Sequence, residues 1–377
     1  MRISIFTNTY TPAVNGVVTS IKNFCNGLKA YGHQTAILAP DYSHEETPNE
    51  KDVFRIPSID LTEIIDAALP LPSKIMVDPI MKGLSPDLIH SQHPIVMGNL
   101  ATSYAQEFAI PLVFTFHTRY AEYAREYFPL DTEIPGKIAE QVIESYLENC
   151  AHVIAPTRHI KELINTYGLD IPVTVIPTPI NLAMYKNVDE GKVRSECSVD
   201  DDDLLLYVGR ISPEKNVKFL LDAFKLIHQR KSGVKLMLVG QGPQADDLEK
   251  YSIENRLSDN VLFVGSVTHE DIPAYMKAAD LFVFPSITET QGLVLIEAMA
   301  AATPVIGVDA PAQRDILAKG GGIISNLDPR DFSEAVLSLL DDDAHKGKLA
   351  EEALKNSSVY DIPSCTEQLL EVYKAVL

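Results

Sequence analysis

The chain has little of what would put it in a membrane, on nucleic acid or in an oxidising compartment. Its 52 acidic residues outweigh 32 lysines and arginines, giving a formal net charge of −20. Binding to nucleic acid and general attraction to anionic lipid both need a basic excess, so the first is excluded and any membrane contact is confined to a local patch. Cys25, Cys150, Cys197 and Cys365 are scattered, without a C-x-x-C pair or a zinc-like spacing, and read as free, buried thiols in a reducing compartment. No apolar run reaches the length that spans a bilayer. The N-terminal apolar run after Arg2 is broken by Thr7, Asn8 and Thr9, which makes it a buried strand and not a signal peptide. The expected location is cytoplasmic, with peripheral attachment to the inner face of the cell membrane left open. Low-complexity segments and internal sequence repeats are lacking as well.

What is present is alternation. A length of 377 residues exceeds one ordinary core, which argues for two domains. "ISIFTNTY" reads as a strand and "TPAVNG" as a turn; Val17, Ile21, Phe24, Leu28 and Tyr31 then recur at helical spacing before the strand "QTAILAP". That is a βαβ unit, and the pattern continues through "PDLIHSQ", "PLVFTFHT", "AHVIAPT" and "VTVIPTP". After an acidic passage the alternation restarts with "LLLYVGR", "VKLMLVGQGP", "VLFVGSV", "LFVFPS" and "PVIGV". The expectation is an α/β chain of two Rossmann-like, doubly wound domains facing each other across a cleft. The first covers residues 1–183 and the second 184–358. The terminal helix, 359–377, either caps the second domain or crosses back to the first, and the return is favoured. Asp200 to Asp203 and Asp341 to Asp343 read as solvated turns and not as cation sites, which want oxygen ligands converging in a pocket.

Ligands of doubly wound sheets lie at the carboxyl ends of the strands. "LLLYVGR" ends there in Gly209 and Arg210, and Lys215 follows in "GRISPEK". Two cations suit a pyrophosphate, the arginine forking two oxygens and the lysine supplying a point charge; surface charges on a loop are the alternative. "LFVFPS" leads into "ITETQG", and the apolar helix "LVLIEAMAAA" starts after Gly292. Backbone N–H groups of Gly292 and Leu293 would form a second anion site. Glu297, about one turn into that helix, can accept hydrogen bonds from ribose hydroxyls. Glu289, in the turn, can bind hydroxyls of whatever the pyrophosphate carries, or can simply cap the helix.

These segments carry a resemblance. "GRISPEKN", "VGQGP", "VLFVGSV", "PAYMKAADLFVFPS" and "ETQGLVLIEAMAAATPVI" resemble the donor half of retaining, GT-B-fold glycosyltransferases of the glycosyl transferases group 1 family. That group holds sucrose synthases, bacterial mannosyltransferases and diacylglycerol glucosyltransferases. The resemblance implies that Arg210 and Lys215 neutralise the donor pyrophosphate and that Glu297 binds the nucleotide ribose. Glu289 with Gln291, Gly292 and Leu293 would hold the transferred sugar and phosphate, and the Gly265 to Val267 loop would meet the base through its backbone. In the first domain it implies that Gly16, in "TPAVNGVV", approaches donor phosphate and acceptor. Many members have two glycines where this chain has Asn15 and Gly16, but helix dipole and backbone are expected to remain available. His117, closing "PLVFTFH", is placed by the resemblance beside the sugar, although a lone histidine there is more often structural.

No first-domain carboxylate stands out as a nucleophile of the kind retaining hydrolases use. The resemblance instead implies front-face transfer, with the leaving phosphate taking the acceptor's proton and no metal required. The donor would be a nucleotide sugar, UDP-glucose by family, and no cofactor would be tightly bound. "FTFHTRYAEYAREYFP", "HSQHP" and "ETQG" are similar to the diacylglycerol glucosyltransferase branch and imply a lipid hydroxyl as acceptor. A soluble sugar or small-molecule acceptor, a nucleotide-sugar epimerase and a non-catalytic sensor are the alternatives. "SKIMVDPIMKGL", if helical, puts Met76, Val77, Ile80, Met81 and Leu84 on one face. That face either dips weakly into a membrane interface or packs on the sheet, and Pro79 counts against a single helix.

Overall fold

Strands joined by helical crossovers must run the same way and be covered on both faces, and this alternation builds two parallel sheets. The structure, a computed structural model, describes residues 1–42, 50–60, 68–127, 134–199 and 202–377. They fall into two compact units, Met1–Pro179 with Ile362–Leu377, and Ile180–Asp361.

The first unit holds strands β1 (Arg2–Phe6), β2 (Gln34–Pro40), β3 (Val53–Ile56), β4 (Ser58–Asp60), β5 (Ala68–Pro70), β6 (Leu88–Ser91), β7 (Leu112–Thr115), β8 (His152–Ala155) and β9 (Val173–Val175). Seven of them form a sheet in the order β3-β2-β1-β6-β7-β8-β9, parallel throughout, and β4 and β5 make a separate antiparallel pair. Its helices are α1 (Gly16–Ala30), α2 (Lys74–Leu84), α3 (Met97–Phe108), α4 (Tyr120–Tyr127), α5 (Ile134–Leu147) and α6 (Arg158–Thr166). Alternate strand residues feed two cores. Phe6, Leu38, Ile89 and Phe114 meet α2, α3 and α5 on one face; Ile3, Ile5, Ile37 and Val113 meet α1 and the C-terminal helix on the other.

In the second unit, α7 (Gly191–Glu196) precedes β10 (Asp203–Val208), followed by α8 (Val217–Arg230), β11 (Val234–Val239), α9 (Ala245–Glu254), β12 (Val261–Gly265) and α10 (Ile272–Ala278). Then come β13 (Leu281–Phe284), α11 (Leu293–Ala300), β14 (Val305–Val308), α12 (Pro311–Leu317), β15 (Gly322–Ser325), α13 (Pro329–Leu340) and α14 (Asp343–Ser357). The sheet order is β12-β11-β10-β13-β14-β15, again parallel. Helix α15 (Ile362–Val376) belongs to the first unit, where Cys365, Leu369 and Tyr373 join the α1 core.

Both sheets reverse their winding next to the first strand of the unit, between β1 and β6 and between β10 and β13. A crevice opens at such a switch point, beyond the carboxyl ends of the strands.

Three features read from the sequence can be followed here. Helix α2 runs unbroken through Pro79, and Val77 and Met81, set on the face that could dip into lipid, are fully buried against the sheet. The apolar side chains it leaves exposed are Ile75 and Met76 in its first turn. Asp200 and Asp201 lie outside the described residues. Asp203 and Asp341 both pair with Lys231, at 2.9 and 3.0 Å, and Asp342 caps α14 by accepting from the His345 N–H. All four cysteines are free, three buried and Cys197 half-buried.

Candidate active site

Strand β10 is followed by Gly209 and Arg210, and a short 3-10 turn, Pro213–Lys215, then carries Lys215. Strand β13, its neighbour, is followed by Pro285 and Ser286 ahead of the turn that carries Glu289. The two turns are stitched together: Lys215 Nζ donates to Glu289 Oε1 at 2.6 Å, Asn216 Nδ2 to Pro285 O at 3.4 Å, and Thr288 Oγ1 to Glu214 O at 3.4 Å. Residues read separately, a cation for pyrophosphate and a carboxylate for a sugar, are therefore partners across the switch point. Arg210 is exposed, and its carbonyl accepts from Tyr207 Oη at 2.8 Å.

Glu289 is not the cap of α11. Gly292 occupies that position, at φ +79° and ψ +64°, and makes no side-chain cap bond. The left-handed conformation favours glycine, and it lets the first backbone N–H groups of α11 approach a ligand without a Cβ in the way. An uncapped helix N-terminus is a ready anion site. Gln291, before it, is buried. Glu297, the fifth residue of α11, is 6% exposed, and burial pushes its carboxyl up to about 7. The nearby phenol of Tyr185 is pushed up by burial and by Glu297. A carboxyl held this way has much to gain from hydroxyl donors. At the end of β12, Gly265 (φ +80°) accepts from Gly240 N–H at 2.8 Å, and half-buried Val267 follows.

In the first unit, His117 follows β7. Its Nε2 lies 2.7 Å from Gln92 Oε1, so Nε2 carries the proton and Nδ1 keeps a lone pair. Burial, then His93 and His90, hold it down at about 3. His93 Nδ1 accepts from the Asn8 N–H at 3.1 Å. His90 is held between Tyr373 Oη and Thr115 Oγ1, both at 2.7 Å. The lone histidine is thus one of three neutral imidazoles at the carboxyl ends of β6 and β7. Gly16 opens α1, but the expectation of an available helix end is corrected. Asn15 Oδ1 accepts from the Val17 and Val18 N–H groups at 3.1 and 3.0 Å, and Thr19 N–H bonds Asn15 O, leaving the N–H of Gly16 as the first-turn donor outside the cap.

Ser286, Gln313 and Gln92 escape a reading of the sequence, having no motif spacing of their own. Ser286 Oγ donates to Glu289 Oε1 at 2.8 Å, and Gln313 Nε2 donates to Ser286 O. The Asn15–Gly16 capping signal was available in the sequence, as asparagine before a helix is a strong N-cap.

Two parallel, doubly wound units, with a paired cation and carboxylate at one switch point and an open helix end beside it, define a glycosyltransferase of the GT-B fold. Residues 14–184 match the family model described as Glycosyltransferase Family 4 and residues 190–356 the one described as Glycosyl transferases group 1, and the chain belongs to the latter family. It is 31% identical over 323 residues to an alpha-monoglucosyldiacylglycerol synthase of Streptococcus pneumoniae, covering 84% of this chain and 73% of the relative. A GDP-mannose-dependent alpha-mannosyltransferase of Corynebacterium glutamicum is 27% identical over 401 aligned positions, covering 100% of this chain and 89% of the relative. Among solved structures, Anabaena HepE in complex with UDP superposes with a TM-score of 0.82 at 19% identity, over 100% of both chains.

Proposed function

We propose that this glycosyltransferase moves a hexose, glucose first, from UDP-glucose to a lipid hydroxyl such as that of diacylglycerol, with retention, giving an α-glycoside. The observation that carries the reading is the Lys215–Glu289 pair at 2.6 Å beside the uncapped start of α11. Arg210 and Lys215 take the pyrophosphate, with Gly209, Gly292 and Leu293 supplying close backbone. Glu289 and Gln291 take the sugar, Glu297 the ribose, and the Gly265 to Val267 loop the base. His117 is assigned to the transferred sugar and Gly16 to the donor phosphate.

In the transfer, a bond forms between the acceptor oxygen and the anomeric carbon while the bond from that carbon to the phosphate oxygen breaks. The acceptor's proton passes to the departing phosphate, and no metal takes part. Charge building on the nucleoside diphosphate is stabilised by Arg210, Lys215 and the α11 N-terminus. Likeness to the pneumococcal relative supports a lipid acceptor; likeness to the mannosyltransferase supports GDP-mannose as the second donor.

Among the described residues no helix is long and apolar enough to cross a membrane. A weak peripheral contact is assigned to exposed Leu71, Ile75 and Met76, and failure to sediment with liposomes of any composition would remove it. The activity is tested by screening UDP- and GDP-sugars and following nucleotide release with and without detergent-dispersed diacylglycerol or simple sugars. Release that depends on a lipid acceptor supports the proposal. Turnover without any acceptor indicates an epimerase, and binding without release a sensor.

A further inference from the structure

We propose that Ser286 is a positioning residue of this site: its hydroxyl, with its carbonyl held by Gln313, fixes the Glu289 carboxylate for the transferred sugar. The inference rests on the reading that the second unit binds a nucleotide sugar.

Ser286 is 0% exposed, so its hydroxyl must find a partner within the protein. That hydroxyl has a single proton and two acceptors in reach, Glu289 Oε1 at 2.8 Å and Glu214 O at 3.5 Å. The shorter bond, to the charged oxygen, takes it. The same Oε1 also accepts from Lys215 Nζ at 2.6 Å. Two donors on one oxygen fix the carboxylate and present the other oxygen, Oε2, to a sugar hydroxyl.

The seating of Ser286 is itself held from behind. Its carbonyl accepts from Gln313 Nε2, and the preceding carbonyl, Pro285 O, accepts from Asn216 Nδ2. Gln313 is 0% exposed, and its Oε1 is buried without a hydrogen-bond partner. With both residues fully buried, the bond from the Gln313 nitrogen is not exchanged for one to water, and it fixes the Ser286 carbonyl. A bound pyrophosphate would compete with Glu289 for the Lys215 ammonium. Ser286, neutral and indifferent to the phosphate, then keeps Glu289 in place.

The test compares Ser286→Ala, Glu289→Ala and the double variant in the full chain. Turnover is measured with UDP-glucose or GDP-mannose, whichever the wild type uses, and binding with the matching diphosphate by calorimetry. Ser286→Ala is expected to lower kcat/KM about tenfold, as loss of a bond to a charged group does. It should leave diphosphate affinity within about twofold and add almost nothing in the Glu289→Ala background, where the acceptor of its hydrogen bond is gone. Unchanged turnover, a parallel loss of diphosphate affinity, or full additivity with Glu289→Ala would overturn the inference. Should Ser286→Ala not fold, Gln313→Met takes its place, with a fall of about threefold and the same non-additivity expected. A wild type that turns over neither nucleotide sugar refutes the proposed function instead, which separates the two failures.

Discussion

Lys215 and Glu289, with side chains 23% and 15% exposed, neutralise each other in a partly dry site, so removing one leaves the other's charge poorly compensated. At about 1.5–3 kcal/mol for a hydrogen bond to a charged group, Lys215→Ala and Arg210→Ala should each slow transfer by one to two orders of magnitude while circular dichroism shows the fold intact. Near-normal turnover in either variant counts against the pyrophosphate assignment. Glu297 allows a separate test, because its raised pKa has a sign. The folded carboxyl holds its proton up to about pH 7, whereas an unfolded chain releases it near 4.5. Stability therefore falls as pH rises from 4.5 to 7, and the loss persists above 7. Glu297→Gln should raise stability at pH 8 by on the order of 2–3 kcal/mol and change little at pH 4.5, while weakening nucleotide binding. Melts at the two pH values check this, and an equal gain at both contradicts it. The residue types at strand ends were legible in the sequence, because "GRISPEK" and "ETQG" follow apolar runs. The Lys215–Glu289 pair was not, since 74 positions separate its members and only sheet order makes β10 and β13 neighbours.

Helices α1 and α15 pack closely at Gly27, where a Cβ would lie 2.0 Å from Thr366 Oγ1 and 3.0 Å from Ile362 Cγ2. Gly27→Val must push α15 off the sheet or distort it, at a cost of about 1–3 kcal/mol for overpacking. A thermal melt should show a fall of several degrees; an unchanged midpoint would mean that α15 yields freely at this contact. Strands and long amphipathic helices were readable from apolar period, and the α/β class with them. Shorter elements were not: β4 and β5 have three residues each, too few to show a period. Helix α2 shows the limit from the other side. Its face of Val77 and Met81 was correctly apolar, but amphipathicity alone cannot say whether such a face meets lipid or a sheet. Burial of both side chains also explains why the helix survives Pro79, as packing offsets the one backbone bond lost.

The buried histidines of the first unit and the buried Glu297 of the second contribute to stability with opposite slopes in acid. Burial holds the imidazoles of His90, His93 and His117 down at about 3, 4 and 3, against about 6.5 in an unfolded chain. Below pH 6.5 these histidines bind more protons in the unfolded chain, so the stability they contribute is present above 6.5 and is lost as pH falls toward those values, by up to about 1.4 kcal/mol per histidine per pH unit. Glu297 gives the second unit the reverse slope between pH 7 and 4.5. Hydrogen exchange at pH 7 and pH 5 should therefore show protection falling in β6, β7 and α15 but not in α11; a uniform loss would contradict the assignment. Fold class and family were open to a reader of the sequence because motif and period agreed in the second unit, whereas acceptor and donor turn on details of shape that no motif fixes. The central claim, retaining hexosyl transfer to lipid, is tested most directly by incubating the protein with UDP-glucose and dispersed diacylglycerol and determining the anomeric configuration of the product by NMR. An α-glucosyl lipid is predicted, and a β-glucosyl lipid, or no transfer to lipid at all, would contradict it.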